Sequence, residues 1–133
     1  MREASQPMRK LAVIGAGYMA INMAVAAKKL GVETHCFGSR RGSSAMYIAD
    51  FYYDVDVADT ESITAICREA KIDGVVAASD LGLVSAAKVA AALGLPGNDP
   101  EAAARYTDKY MARLLTQKVL AMKQPRFFPA EGL

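Results

Sequence analysis

The segment Lys10–Gly31, KLAVIGAGYMAINMAVAAKKLG, holds the residues whose type and spacing point most clearly to chemistry. Gly15 and Gly17 follow an apolar run, and a segment of small apolar residues continues to Leu30. Glycine adopts positive φ easily, and without a Cβ it lets backbone N–H groups come close to a ligand. The N-terminus of a following helix attracts anions. The segment therefore predicts a strand, a glycine turn and a helix that form an anion-binding corner.

The glycine turn matches the dinucleotide fingerprint G-x-G-x-x-A, which alone is a weak indication of a nucleotide site. An NAD site needs an acid at the end of the second strand, where this chain has Phe37 and Gly38. Arg40 and Arg41 follow, and arginines there would hold the 2′-phosphate of NADP. A solvated basic loop is the alternative, and these residues alone favour it because surface arginines are common.

The remaining candidates are few. Ser79 and Asp80 follow the fourth predicted strand and either contact a ligand or begin the next helix. His35 lies inside the second predicted strand and is interpreted as a packed or edge histidine. Cys36 and Cys67 lack CxxC spacing and are predicted to be reduced core residues. The sequence offers no Walker A motif, nucleophile–base set, carboxylate pair or metal-ligand cluster, so we predict no catalytic residue and no metal site.

An alternation of strand-like and helix-like segments must position these residues. It predicts parallel strands joined by right-handed crossovers: an α/β fold with an open, doubly wound, mostly parallel sheet, Rossmann-like in its three α/β/α layers. The expected strands are residues 11–14, 33–37, 52–55 and 74–78, with a fifth strand or an extended link at 95–97. The expected helices are residues 19–30, a turn at 45–49, one capped by Asp59 or Thr60, one ending near Leu93, one starting at Asp99-Pro100, and 109–122.

An open sheet of this kind binds ligands beyond the carboxyl ends of its strands. Three predicted loops, residues 15–19, 38–44 and 79–82, should therefore meet at one edge. The length of 133 residues indicates one domain, and 53% hydrophobic residues suffice for a core. A net charge of +2 does not favour nucleic acid, and no signal peptide or membrane span is recognisable, so a cytoplasmic location is expected.

Five segments follow one another in a recognisable order, namely IGAGYMAINMAVAAKKLG, IADFYYDVD, KIDGVVAASD, AALGLPGNDPEAAARYTDKYMARLL and QPRFF. This ordered set, which covers residues 10–128, resembles the N-terminal domain of ATP-grasp ligases, a superfamily that includes carbamoyl-phosphate synthase large chains and biotin carboxylase. It implies ligases that join a carboxylate or bicarbonate to a nucleophile through an acyl-phosphate made with ATP and Mg²⁺. It also implies that the glycine turn and the strand-exit loops form a wall of the substrate pocket. The substrate-side residues so implied are Gly15, Gly17, Tyr18, Met19, Arg40, Arg41, Ser79 and Asp80.

In several members the lysine of a D-K pair that opens the last helix lies near the nucleotide, and Lys109 matches that position. An exposed helix-surface lysine is the equal alternative. The hairpin, lysine and acidic metal ligands of the ATP-grasp region have no counterpart here. We therefore expect a tail at residues 1–9, a pre-ATP-grasp domain at 10–123 and a linker at 124–133 toward an absent region, supplied in cis or in trans.

Such a chain is expected to be inactive alone and to bind neither ATP nor Mg²⁺ tightly. Phe127 and Phe128 would be exposed without the following domain, which favours a dimer or a larger oligomer. The competing hypothesis is a separate NADP-binding module of a reductase or regulator, with Gly15 and Gly17 at the pyrophosphate.

Overall fold

The computed structural model describes residues 8–120 and 122–129. Its four strands form one parallel sheet in the order β3-β2-β1-β4. The strands are β1 (Lys10–Ile14), β2 (Glu33–Gly38), β3 (Phe51–Asp54) and β4 (Gly74–Ala77). The helices are α1 (Tyr18–Lys29), α2 (Thr60–Ala70), α3 (Asp80–Leu93), α4 (Pro100–Thr107) and α5 (Lys109–Leu120), with a 3₁₀ turn at Ser44–Tyr47.

Each face of the sheet carries its own core because successive side chains of a strand point to opposite faces. On one face, Val13 and Cys36 pack with small residues of α1, among them Ala20. On the other face, Ile14 and Phe37 pack with residues of α2 and α3. Helices therefore cover both faces, and the predicted three-layer α/β/α fold is confirmed.

The two cysteines lie in these separate cores. Cys36 belongs to the face covered by α1, and Cys67 belongs to the opposite face, so the sheet separates them. Both are free, as predicted. Burial raises the pKa of each thiol to about 11, which leaves almost no reactive thiolate at neutral pH.

His35 is a structural residue, in line with its predicted place inside the second strand. It is 3% exposed, and its ring stacks on Phe51 with centroids 4.7 Å apart. Its Nε2 lies 2.9 Å from a carboxylate oxygen of Glu33, and its Nδ1 lies 3.1 Å from the hydroxyl of Tyr53. The hydrogen bond with His35 holds the pKa of Glu33 below its usual range. With both ring nitrogens engaged, this histidine has no capacity left for a reacting group.

Element ends differ from the predictions by one or two residues. β3 begins at Phe51 instead of position 52, and β4 ends at Ala77 instead of position 78. Residues 95–97 form the extended link and not a fifth strand. Asp59 caps α2, since its carboxylate accepts a hydrogen bond from the Ser62 N–H. Gly94 ends α3 in the left-handed conformation, as its position predicted. Among the described residues, no helix is long and apolar enough to cross a membrane.

Replacing Asp50 is expected to reduce stability in a pH-dependent way. Its carboxylate accepts hydrogen bonds from the backbone N–H and the hydroxyl of Thr34, both at 2.8 Å, and Thr34 is 1% exposed. Asp50→Ala leaves these buried donors unpaired and should lower the free energy of unfolding by about 1–3 kcal/mol at pH 7. Urea unfolding at several pH values measures this.

The hydrogen bond from the Thr34 N–H lowers the pKa of Asp50 in the folded protein. Its stabilising contribution is therefore complete above the unfolded pKa of about 4 and disappears as the pH falls through the lower folded pKa. The difference in free energy of unfolding between wild type and Asp50→Ala should therefore become smaller below about pH 4. Asp73→Ala is the control, because its bond to the Lys10 N–H is exposed and water replaces it. If Asp50→Ala and Asp73→Ala lowered the free energy of unfolding equally, the prediction would be contradicted.

Candidate functional site

A cleft of about 350 Å³ lies at the carboxyl edge of the sheet. Loops that follow all four strands line it, three of them the loops expected from the sequence. The fourth follows β3 and contributes Asp56 and Val57. The four loops meet because the strands are parallel and all end at this edge.

The glycine turn after β1 forms the floor of the cleft. Gly15 has φ of 103°, which glycine alone adopts without strain, and its N–H donates to the carbonyl of Phe37 at 2.9 Å. Gly17 occupies the N-cap position of α1, so no side chain caps this helix, and its first turn contains no acid. The first N–H groups of α1 therefore remain available to an anion.

A second helix begins at the same place. Ser79 is the N-cap residue of α3, but its hydroxyl makes no capping hydrogen bond. A Cβ on Gly15 would lie 3.2 Å from the Ser79 hydroxyl oxygen, so α3 begins directly beside the glycine turn. Both residues line the cleft, and two helix N-termini without side-chain caps thus face one space.

The two neighbouring arginines have different positions. Arg41 lines the cleft and has no ion-pair partner among the described residues. Arg40 turns toward β3, where its guanidinium lies 4.0 Å from the carboxylate of Asp54 and its backbone N–H donates to the same carboxylate at 2.9 Å. Of these two arginines, Arg41 is therefore the one placed to neutralise an anion in the cleft.

A family model for the ATP-grasp N-terminal domain matches residues 23–97, which is more than half of the chain. The chain belongs to the ATP-grasp N-terminal domain family. The resemblance noted from the sequence is thereby confirmed. A search of curated proteins found no match.

Several solved structures share this fold. Phosphoribosylglycinamide synthetase from Anaerococcus prevotii is 26% identical, with a TM-score of 0.72 over 83% of this chain and 28% of its own. Glycinamide-RNase-transformylase T from Mycobacterium tuberculosis is 23% identical, with a TM-score of 0.76 over 90% of this chain and 35% of its own. N5-carboxyaminoimidazole ribonucleotide synthetase from Thermotoga maritima is 22% identical, with a TM-score of 0.67 over 84% and 31% of the two chains. This chain spans about a third of the length of these structures.

Four of the predicted substrate-side residues line the cleft of this ATP-grasp N-terminal domain, namely Gly15, Gly17, Arg41 and Ser79. The other four lie outside its lining. Tyr18 and Met19 are in the first turn of α1 and are 74% and 54% exposed, whereas Asp80 begins α3 and Arg40 contacts Asp54. Lys109, the predicted nucleotide-side residue, is exposed at the start of α5 and does not line the cleft either.

Sequence reasoning overlooked several residues of the cleft, including Asp56. Its carboxylate accepts from the Ala58 N–H at 2.8 Å, and the residue lines the cleft from the β3 loop. The predicted third strand indicated that Asp56 belongs near the cleft, because the loops that follow parallel strands all lie at the same edge of the sheet. Gly38 and Ser43 were inside a predicted loop but were not singled out as wall residues.

Proposed function

We propose that this chain is the substrate-side domain of an ATP-dependent ligase and that its cleft holds an anionic small molecule, a carboxylate, bicarbonate or phosphate ester. The observation that carries the proposal is the convergence of two uncapped helix N-termini and Arg41 on one cleft in an ATP-grasp N-terminal domain. Carboxylate–amine ligation and bicarbonate activation of the carbamoyl-phosphate synthase kind both fall within it.

Each part of the cleft has a distinct binding role. The backbone N–H groups at the start of α1 and α3 present partial positive charge to the anion. The Arg41 guanidinium adds a full charge and forked donors that match a carboxylate or a phosphate. The hydroxyl of Ser79, which makes no capping hydrogen bond, lies in the same lining and supplies a neutral donor. These groups bind and orient the substrate; none is a nucleophile or a general base.

A phosphate ester is the ligand that the comparisons favour. Two of the similar structures are named for phosphoribosyl or ribonucleotide compounds, which carry a phosphate. The uncapped N-terminus of α1 and the Arg41 guanidinium supply positive charge of the kind that a phosphate requires.

ATP and Mg²⁺ would activate the carboxylate as an acyl-phosphate, but the residues of this domain do not fit the metal. Within residues 8–120 and 122–129, no group of three or more His, Cys, Asp or Glu side chains is placed to hold a metal ion. We therefore propose that an ATP-grasp region in cis or in trans supplies these groups. The exposed apolar side chains of α5, including Met111 and Val119, offer a surface for that region or for self-association.

The NADP hypothesis has less support from the geometry. A Cβ on Gly38 would lie 2.9 Å from the Cβ of Ala16, so the end of β2 has no room at this position for the acidic side chain that holds the ribose of a dinucleotide. The N–H of Ala45 also donates to the carbonyl of Ala16 at 3.0 Å, which fixes the following loop in place. Of the two arginines required, Arg40 is engaged by Asp54.

A ligand titration tests the proposal. The 133-residue protein should melt at a higher temperature with ribose 5-phosphate than without, as a ligand at 100 times its Kd adds about 2.7 kcal/mol of stability. Ribose at the same concentration is the control. With ATP and Mg²⁺ the same sample should release no phosphate above a blank. Stoichiometric binding of NADPH, or substrate-dependent ATP turnover by the chain alone, would contradict the proposal.

A further inference from the structure

We propose that Tyr52 and Asp54 of β3 are positioning residues, which hold the 38–44 loop in the shape that presents Arg41 to the cleft. The inference rests on the proposed function, because it assigns a role in binding the same anion. Neither residue lines the cleft. They would act on the ligand only through the loop.

Tyr52 fixes the start of the loop. Its hydroxyl donates to the carbonyl of Gly38 at 2.6 Å, at the last residue of β2. Its ring packs against the core on the α1 face, alongside Cys36, the residue opposite it in the β2–β3 register. The phenol is thus held at its base by packing and reaches the point where the backbone leaves the sheet.

Asp54 fixes the loop two residues further on. Its carboxylate accepts the backbone N–H of Arg40 at 2.9 Å. Asp54 stands opposite Gly38 in the β2–β3 register, so its acceptor lies beside the first residues of the loop. Arg41 is the next residue along the chain. The hydrogen bond between the Arg40 N–H and Asp54 therefore fixes the position of the Arg41 backbone.

The far end of the loop is fixed by backbone bonds. The N–H of Ala45 donates to Ala16, and the N–H of Ser43 donates to the carbonyl of Arg40 at 3.4 Å. The Ser43 hydroxyl donates to the carbonyl of Ser39. Gly42, with φ of 84°, provides the reversal. A loop that is already ordered in the free protein loses little conformational entropy when the ligand binds. The affinity for the ligand is therefore higher than it would be with a disordered loop.

The test uses Tyr52→Phe, which removes one hydroxyl and keeps the ring, and Tyr53→Phe as its matched control on the opposite face. Loss of one hydrogen bond in Tyr52→Phe should weaken binding of ribose 5-phosphate by about threefold to tenfold. Amide hydrogen exchange of residues 39–44 in the free protein should accelerate by a similar factor. Tyr53→Phe should change neither quantity, although it loses its contact with His35.

Asp54→Ala and Asp54→Asn form a second, graded pair. Asp54→Asn keeps an oxygen that accepts the Arg40 N–H, so it should restore most of the affinity and of the slow exchange lost in Asp54→Ala. A purely global effect on stability would accelerate exchange across the sheet as well, and urea unfolding detects that change.

The two proposals fail in different ways. If the wild type does not bind ribose 5-phosphate, the proposed function fails, and hydrogen exchange still decides whether Tyr52 and Asp54 order the loop. If the wild type binds but Tyr52→Phe and Asp54→Ala leave both affinity and exchange unchanged, the positioning role is overturned. Accelerated exchange with unchanged affinity would overturn it too, since loop order would then be irrelevant to binding.

Discussion

Arg41→Gln is expected to weaken the binding of ribose 5-phosphate by about 10-fold to 100-fold. A hydrogen bond to a charged group contributes about 1.5–3 kcal/mol, and the variant loses both the charge and the guanidinium fork. Glutamine keeps much of the side-chain length, so a loss of affinity would be due to the missing guanidinium group and not to an empty space left by a shorter side chain. Isothermal titration at constant ionic strength measures the affinity.

Arg40→Gln is the matched control, with the same substitution one residue earlier. The Arg40 guanidinium contacts an exposed carboxylate at 4.0 Å, and exposed pairs of this kind contribute little. Its backbone N–H, which Asp54 holds, is unchanged by the substitution. We expect an affinity within about twofold of wild type. Similar losses in both variants would indicate a diffuse charge effect and would contradict a specific role for Arg41.

The second large effect is expected at Gly82, where Gly82→Ala should lower the free energy of unfolding by about 1–3 kcal/mol. A Cβ there would lie 2.7 Å from the backbone oxygen of Ile14, too close for any contact, and the neighbouring atoms belong to the central strand. In an exposed helix a Gly→Ala substitution would instead raise the free energy of unfolding by about 1 kcal/mol. The sign of the measured change therefore shows whether the close contact with β1 matters. Urea unfolding measures the change.

Gly74→Ala serves as the control, because a Cβ at that position meets only the flexible end of Leu11 at 3.6 Å. Its stability should stay within about 0.5 kcal/mol of wild type. Gly82→Ala should also displace the start of α3 from the glycine turn and so weaken binding of the anion. A stable Gly82→Ala protein with wild-type affinity would show that the close contact between α3 and β1 is unnecessary.

The fold was predictable from the sequence because its signals are local. The apolar run before Gly15 ends in a turn, and the small residues that follow have helical spacing. Gly94 marks the end of α3, and Asp99 marks the start of α4. Each signal depends on residues within one or two turns of the chain. The parallel direction of the strands then follows because each connection is long enough to cross over a face of the sheet, in two cases with a helix. The position of the cleft at the carboxyl edge of the sheet was therefore predictable before any side chain was placed.

The membership of the cleft was less predictable. Asp56 and Gly38 lie in loops whose place at this edge follows from the predicted strands, but no local pattern shows which residues of a loop enter the wall. Tyr18 and Met19 follow the glycines immediately, yet they extend from the outer side of α1 and remain exposed. Proximity in sequence to a turn does not determine which side of a helix a residue occupies.

The sequence by itself determined an open α/β sheet, a glycine turn at its carboxyl edge and two arginines in the next loop. Only the tertiary structure decided which arginine lines the cleft. Arg40 and Arg41 are chemically identical neighbours, and the difference arises from Asp54, which is 14 residues away from Arg40 in sequence. The physical reason is that periodicity and turn propensity act over a few residues, whereas the direction of a side chain depends on partners that only the folded sheet brings together.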